Sequence, residues 1–451
     1  MSASAPFQAS RSHSRAVPLT YQQEWIWSLL NENNALEFLQ RTYAWRLSGQ
    51  LDTALLSISL DAVVSRHDSL RTTIRVTREG PAQHIHEPGS GRMKFVNCNS
   101  GDGNAETEST CALHALSMRP VDLSSSSFFD VTVMKLASNE HLLVLTMHHM
   151  LTDLTSLSIV FRELWHSYSH RALGRDYSPA DVSLQYTDYA IWQRNTHRDW
   201  VEKSRGYWVD KLRGATGLTW QVDGGMKATR RNALGEQTIS VGEKLSAALF
   251  GLARQEQTTP AMVVLACYTA ALRHWCQRST LVIPFNISGR DRAELANMIG
   301  PLGQMLFLKV SLTGEETFAE LLKIMTEEFQ TAHDHLDFAK LSLESPEFLK
   351  GGFLQWLAWN PAERAGMSAA DWDSCSGGLR IRGVPPKRSL SNLSIEYDLV
   401  LQLFRTSEGI RGTWWYRTDL FAASAVAGFS RDLLRVFERS VRNPRDRIAS
   451  W

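Results

Sequence analysis

The chain has 451 residues, 43% hydrophobic and 21% charged, with 48 Lys and Arg against 47 Asp and Glu. That length exceeds one ordinary core and predicts two or three domains of a soluble globular protein. The even charge balance supplies no bulk field for nucleic acid or an anionic membrane, so partners must be met by local pockets or patches.

Residues 1–15 lack the apolar core of a secretion signal and read as a disordered lead. A helix is predicted over 51–66, a strand over 71–76 and a polar loop over 97–109. Two β-rich runs, 128–136 and 141–147, flank a turn at 137–140 and predict a hairpin. Beyond it Leu157, Val160, Phe161, Leu164 and Tyr168 recur at helical spacing. Turn residues at 174–180 suggest that a first lobe closes near Arg175.

The second half predicts helices over 241–255 and 260–274, strands over 280–286 and 304–312, and a helix over 318–333. A Gly-, Ser- and Pro-rich stretch, 366–391, reads as a long loop before a hairpin of 394–404 with 410–416 and a final helix over 422–441. The most apolar run, 260–272, ends at Arg273 and His274, short of the roughly 20 residues of a membrane span. Both halves are therefore mixed α/β. Five scattered cysteines, Cys98, Cys111, Cys267, Cys276 and Cys375, form no CxxC pair and fit a reducing cytoplasm.

The chemistry concentrates in His148-His149-Met150-Leu151-Thr152-Asp153, where the apolar strand runs out into a turn and a helix. Neighbouring strand residues point to opposite faces, so at most one of the two imidazoles serves a given cleft and the other is structural. An imidazole titrates near neutrality and accepts a proton from an attacking amine or hydroxyl. Asp153 either orients that ring or ties the turn to a distant Arg. His149 and Asp153 on one helix face would also suit a metal, but no nearby Cys, His or Glu cluster supplies further ligands.

These residues also resemble the condensation domains of nonribosomal peptide synthetases. The family motif HHxxxDG reads here from His148 to Leu154, followed by Ser156 and Glu163-Leu164. Pro18–Trp27 resembles the opening motif through Gln23 and Trp27, and Arg66-His67-Asp68-Ser69-Leu70-Arg71-Thr72 resembles RHExLRT. Tyr186–Gln193 fits YxDYAxWQ, and Tyr207-Trp208 with Leu212-Arg213-Gly214 fits the element that follows it. Gly289-Arg290-Asp291-Arg292 and Ile299-Gly300 persist, while the usual FVNT is Gly303-Gln304-Met305-Leu306. His333–Leu341 is a worn HQDxPFExL, the motif at Gly352–Gln355 is barely recognisable, and Tyr397-Asp398-Leu399 and Tyr416–Phe421 fit well.

The resemblance implies two chloramphenicol-acetyltransferase-like lobes, 16–178 and 179–451, set in a V around a central tunnel. It implies that carrier proteins, acyl or peptidyl, present the donor on a phosphopantetheine arm, and that a carrier-bound or soluble amine or alcohol attacks the thioester. His149 is then the catalytic or positioning residue, with His148, Asp153 and Arg290 structural and Arg290 the cation that pairs with Asp153. Leu154 and Ser156 are expected to line the tunnel. No bound cofactor, metal, nucleic acid or membrane is implied, and the chain is expected to be a monomer. With no adenylation or carrier segment in the sequence, the resemblance suggests a free-standing enzyme acting in trans.

Leu154 stands where the family has Gly, a residue that serves a positive φ or a close approach. It leaves three consequences open: unusual substrates, reduced activity, or a non-catalytic platform that recruits a carrier or tailoring enzyme. An epimerising relative would need a second acid–base group that the sequence does not identify. The 15 tryptophans read as core and interface anchors, and Arg230-Arg231 and Lys387-Arg388 as solvated surface cations or contacts for an acidic carrier.

Overall fold

The computed structural model of the protein describes residues 16–33, 40–89, 93–98, 105–117, 129–179, 181–196, 198–218, 220, 234–336, 352–357, 379–384, 398–406 and 408–451. They fall into two compact units. One draws on Met1–Asp199, Ser288–Gly303 and Pro361–Asn392, the other on Trp200–Ile287, Gln304–Asn360 and Leu393–Trp451. The lobe boundary expected at 178/179 is thus displaced, because the helix that follows it packs back on the start of the chain: Tyr21 N–H donates to Gln193 Oε1 at 2.9 Å. The lead over 1–15 lies outside the described residues, as do 230–231 and 387–388.

In chain order the elements are β1 (Val17–Pro18), α1 (Tyr21–Asn33), β2 (Gln40–Ser48), α2 (Thr53–Arg66), β3 (Thr72–Thr77), β4 (Gly80–Ile85), β5 (Met93–Asn97), α3 (Ala105–Ser117), β6 (Phe129–Ala137), β7 (Glu140–His148), α4 (Leu154–Ala172), α5 (Tyr186–Thr196) and α6 (Arg198–Leu212). There follow β8 (Leu234–Val241), α7 (Glu243–Gln255), α8 (Pro260–Cys276), β9 (Thr280–Ile287), β10 (Gln304–Ser311), α9 (Phe318–His333), β11 (Gly352–Leu357), β12 (Arg380–Val384), β13 (Leu399–Thr406), β14 (Gly409–Arg417) and α10 (Ala423–Arg442).

The first unit holds a five-stranded sheet, β12-β2-β7-β6-β5, and a three-stranded one, β1-β4-β3. The second holds a six-stranded sheet, β10-β9-β11-β13-β14-β8. Both large sheets are mixed: β5–β6, β11–β9 and β11–β13 are parallel and the other pairs antiparallel. Among the described residues no helix is long and apolar enough to cross a membrane.

Strand β7 reads as a continuous apolar run because it is central and covered on both faces. Leu143, Leu145 and Met147 join the core beneath α2 and α4, and Leu142 and Val144 face α3. Each such side chain contributes roughly 1.5–3 kcal/mol by leaving water. Asp52 caps α2 by accepting from Ala54 N–H and Leu55 N–H at 3.0 and 2.9 Å. Leu56, Leu60, Val63 and Val64 then form its buried stripe. In the second unit, α8 starts with Thr259 as cap and Pro260 in its first turn and is buried along most of its length. Helix α9 starts with a capping box between Thr317 and Glu320.

Two predicted loops need correction. Within 366–391 lies β12, whose Ile381 pairs with Leu47 of β2 and packs with Leu379 on the core; the alternation Leu-Arg-Ile-Arg outweighs the loop-like composition around it. The polar loop over 97–109 ends early, because α3 begins at Ala105.

Candidate functional site

All the motif residues singled out at the end of β7, and Arg290, belong to the first unit. His148 is the last residue of β7, opposite Gln40, and only 1% exposed. Its Nδ1 accepts Met150 N–H at 3.1 Å, so the proton of the neutral ring sits on Nε2. Burial, then the neighbouring His149 and Arg41, push its pKa down to about 3. The ring is therefore a neutral scaffold piece. Its carbonyl accepts Leu151 N–H at 3.1 Å and the Thr152 hydroxyl at 2.9 Å, which closes the turn.

His149 lies on the other side of this turn and is partly exposed. Its Nδ1–H donates to the Thr152 carbonyl at 2.8 Å. A carbonyl can only accept, so the neutral ring carries its basic lone pair on Nε2. Burial and the charge of Arg41 lower the imidazole pKa, outweighing the Thr152 hydrogen bond and the Asp153 carboxylate, which raise it. At neutral pH the side chain is an unprotonated base in a fixed tautomer.

The turn is anchored from behind. Met150 and Leu151 are fully buried among Leu19, Ile26, Leu30 and Ile74, and Gln23 Nε2–H donates to the Met150 carbonyl at 3.1 Å. The opening motif thereby acquires a physical role, since its Gln holds the backbone immediately after the two histidines.

Asp153 does not orient the His149 ring; the Thr152 carbonyl does. Asp153 caps α4, accepting Ser156 N–H and the Ser156 hydroxyl, each at 2.8 Å. The Arg290 guanidinium forks onto it, Nη1 to Oδ2 at 2.6 Å and Nη2 to Oδ1 at 2.9 Å. Leu302 N–H adds a bond to Oδ2 at 3.2 Å. Burial alone would raise this carboxyl's pKa, but Arg290 and Ser156 hold it below the usual carboxylate range. The Arg290 side chain is 2% exposed and also donates to the carbonyls of Ser288, Met298 and Gly300. The pair clamps the 288–302 segment onto the start of α4.

Ser156 requires correction as a tunnel-lining candidate. Ser156 is 0% exposed, and its Oγ is spent inside the clamp, accepting Gly300 N–H at 3.0 Å as well as donating to Asp153. Leu154 is the first residue of α4 and packs, partly buried, against the apolar core. Among the described non-glycine residues only Gln257 and Gln277 have positive φ, so Leu154 sits in the turn without backbone strain.

The glycines of the clamp segment are required by contact. Gly289 has φ +63°, and a Cβ there would meet the Leu302 carbonyl oxygen at 1.9 Å. At Gly300 a Cβ would lie 2.0 Å from the Tyr186 ring. Tyr186 in turn hydrogen-bonds Thr20 Oγ1 at 2.8 Å and donates to the Pro301 carbonyl at 3.2 Å. Ser69 adds a bond to the Ile299 carbonyl at 2.6 Å. His67 and Arg66 pair with the buried Glu163 at 2.9 and 3.2 Å, so that motif too is structural. Sequence reasoning assigned no role to Thr152, whose carbonyl fixes the His149 tautomer while its hydroxyl closes the turn, or to Arg41, whose strand it did not predict.

A family model described as Condensation domain matches residues 13–451. Tyrocidine synthase 2 of Brevibacillus parabrevis is 33% identical over 405 residues, covering 89% of this chain and 11% of that protein. The chain spans about a tenth of the length of the curated relatives it matches. Among solved structures, the X-domain from teicoplanin biosynthesis superposes with a TM-score of 0.80 at 25% identity, covering 98% of this chain and 99% of that one. A complex of the X-domain and OxyB from the same biosynthesis gives 0.79 at 24%, covering 99% and 98%.

Proposed function

The chain belongs to the condensation-domain family, with its chloramphenicol-acetyltransferase-like α/β fold, and from that premise we propose that it is an acyltransferase. The donor is an acyl group held as a thioester on the phosphopantetheine arm of a carrier protein. The acceptor is an amine or hydroxyl, carrier-bound or soluble, and the product an amide or ester.

The observation that carries this reading is the fixed tautomer of His149. With Nδ1–H committed to the Thr152 carbonyl, Nε2 accepts the proton of the acceptor N–H or O–H as its lone pair attacks the thioester carbonyl carbon. The new C–N or C–O bond forms, the C–S bond breaks, and the proton passes to the departing thiolate, so the carrier leaves as its free thiol. General-base help of this kind contributes roughly 10²–10⁴-fold, and alignment of the acceptor contributes more. A thioester is already activated, so one well-placed imidazole is an adequate catalytic endowment. His148, Asp153 and Arg290 serve by holding the turn.

One observation favours a second reading. The X-domain at 25% identity belongs to a biosynthesis in which an X-domain forms a complex with OxyB, and Leu154 replaces the motif's Gly here. On that reading the chain is a platform that recruits a carrier or tailoring enzyme. Replacing His149 separates the two. In the producing organism, His149→Ala should abolish the same metabolite as a full deletion while protein level holds, and the missing bond identifies an ester or an amide. A mutant that keeps the product lost in the deletion strain would establish the platform.

A further inference from the structure

A cleft in the first unit has no place in the chemistry above. Its volume is about 660 Å³, within the range of small-molecule sites. The C-terminal end of α2, the middle of α4 and the segment 177–188 wall it. Glu163 is the α4 residue that lines it. It stands ten residues beyond Asp153, roughly 15 Å along the helix, so a small occupant of the cleft does not meet His149.

Three carboxylates line the cleft, Glu163, Asp181 and Asp188, against one guanidinium, Arg66. Glu163 is the informative one. Its side chain is only 10% exposed, and Oε2 takes both His67 Nε2 at 2.9 Å and Arg66 Nε at 3.2 Å. Burial alone would raise its pKa, but His67, Arg66 and Arg162 hold it below the ordinary value, so the group is ionised. Its Oε1 has no hydrogen-bond partner among the described residues. A charged oxygen on a side chain nine-tenths buried, bordering a cleft and bonded to nothing, calls for a donor from an occupant. Asp181 is exposed and likewise makes no hydrogen bond among the described residues, whereas Asp188 Oδ2 accepts Gln185 N–H at 2.9 Å. Arg162 is not in the lining and donates to Asn297 Oδ1 at 2.9 Å.

The rest of the lining narrows the ligand. Tyr177 brings a phenol, and Val63 and Val182 bring apolar surface. Among the described residues no group of three or more His, Cys, Asp or Glu side chains could hold a metal ion, so the carboxylates are too dispersed to share one. An organic cation with an apolar stem suits this combination of excess negative charge, aromatic ring and aliphatic wall.

We propose that the cleft binds a small organic amine as its ammonium ion, whose N–H groups donate to Glu163 Oε1 and Asp181 while its hydrocarbon stem packs on Val63 and Val182. The site is separate from the His149 turn and does not depend on the condensation reading.

The test is a calorimetric titration of the full chain with hexylamine at pH 7, where it is the ammonium ion, with hexanol and hexanoate as matched probes at the same ionic strength. Hexylammonium should bind, hexanol about fivefold more weakly or worse, and hexanoate not measurably. Asp181→Asn, at an exposed position without a partner to lose, should weaken hexylammonium about two- to fivefold, and Glu163→Gln should weaken it further with the fold retained by thermal unfolding. Failure of hexylammonium to bind overturns the proposal, as does equal binding of hexanol. Unchanged affinity in folded Asp181→Asn and Glu163→Gln proteins overturns it too, because the amine then sits elsewhere. If Glu163→Gln does not fold, the charge reversal Asp181→Lys is read in its place: it should cost about fivefold or more, and wild-type affinity in that variant overturns the assignment.

Discussion

The two ends of the six-residue motif have opposite constructions. At Asp153 the carboxylate is fully committed: it is shared among Arg290, Ser156 and Leu302 N–H, and the guanidinium that forks onto it is almost wholly buried. At His149 one nitrogen is tied to Thr152, and the ring remains partly exposed. A side chain with all its bonding capacity committed can hold a backbone in place but cannot exchange a proton with a substrate. Rigidity at one end is what makes a usable lone pair at the other, because the clamp and Gln23 fix the turn from which the imidazole projects.

The sharpest way to break this contrast is at His149. His149→Ala should lower acyl transfer by about 10²–10⁴-fold with an unchanged thermal midpoint, measured with an acyl-pantetheine donor and the purified chain. A stability loss as large as the activity loss would erase the distinction between the two ends.

Asp153→Ala should show the reverse pattern. It leaves the Arg290 guanidinium buried without its counter-ion, at a cost of about 3–5 kcal/mol, read by urea unfolding. Gly300→Ala comes next, because its Cβ meets the rigid Tyr186 ring at 2.0 Å. An expected loss of about 1–3 kcal/mol without a change in the pH profile would place it with Asp153 on the structural side.

The pH dependence of folding sharpens the comparison further. The Asp153 pKa is depressed in the folded chain, so its stabilisation is present above the unfolded carboxylate range and disappears as pH falls through the folded value. His148 is also depressed, to about 3 from 6.5, but as a base. The unfolded chain takes up a proton there below about 6.5, and stability declines from that pH down toward 3. His148→Asn should therefore flatten the slope of stability with pH between these limits, whatever it does to stability at pH 7. An unaltered slope would show that His148 protonates in the native state without penalty.

Leu154→Gly carries the smallest expected effect. It restores the family residue at a position with ordinary backbone geometry and removes a partial core contact, so a loss of about 1 kcal/mol or less is expected, with acyl transfer within about twofold of wild type. A large gain in transfer would assign the Leu a role in substrate access after all.

Much of the fold was legible because apolar periodicity survives folding. The α9 bounds, 318–333, match those read from spacing, the β6–β7 hairpin and the helices α2, α7, α8 and α10 lie within a few residues of their predicted bounds, and α4 covers the helical spacing seen from Leu157 to Tyr168. What failed has a common cause. The strand β12 hides in a segment of loop-like composition and exists because β2 offers it an edge. Strand β11 carries a short pattern that acquires meaning from its neighbours in the sheet.

By itself the sequence determined the family, the α/β class and the residue that offers a base, since these rest on local order: motif spacing, alternation and the chemistry of an imidazole. Tertiary structure decided which groups serve it. Only the folded sheet sets Arg41 of β2 beside the end of β7, turns Asp153 away from the ring and toward Arg290 across 137 residues, and buries Ser156 in the clamp. Charge and hydrogen bonding act over a few ångströms in space, and sequence separation carries no record of that distance.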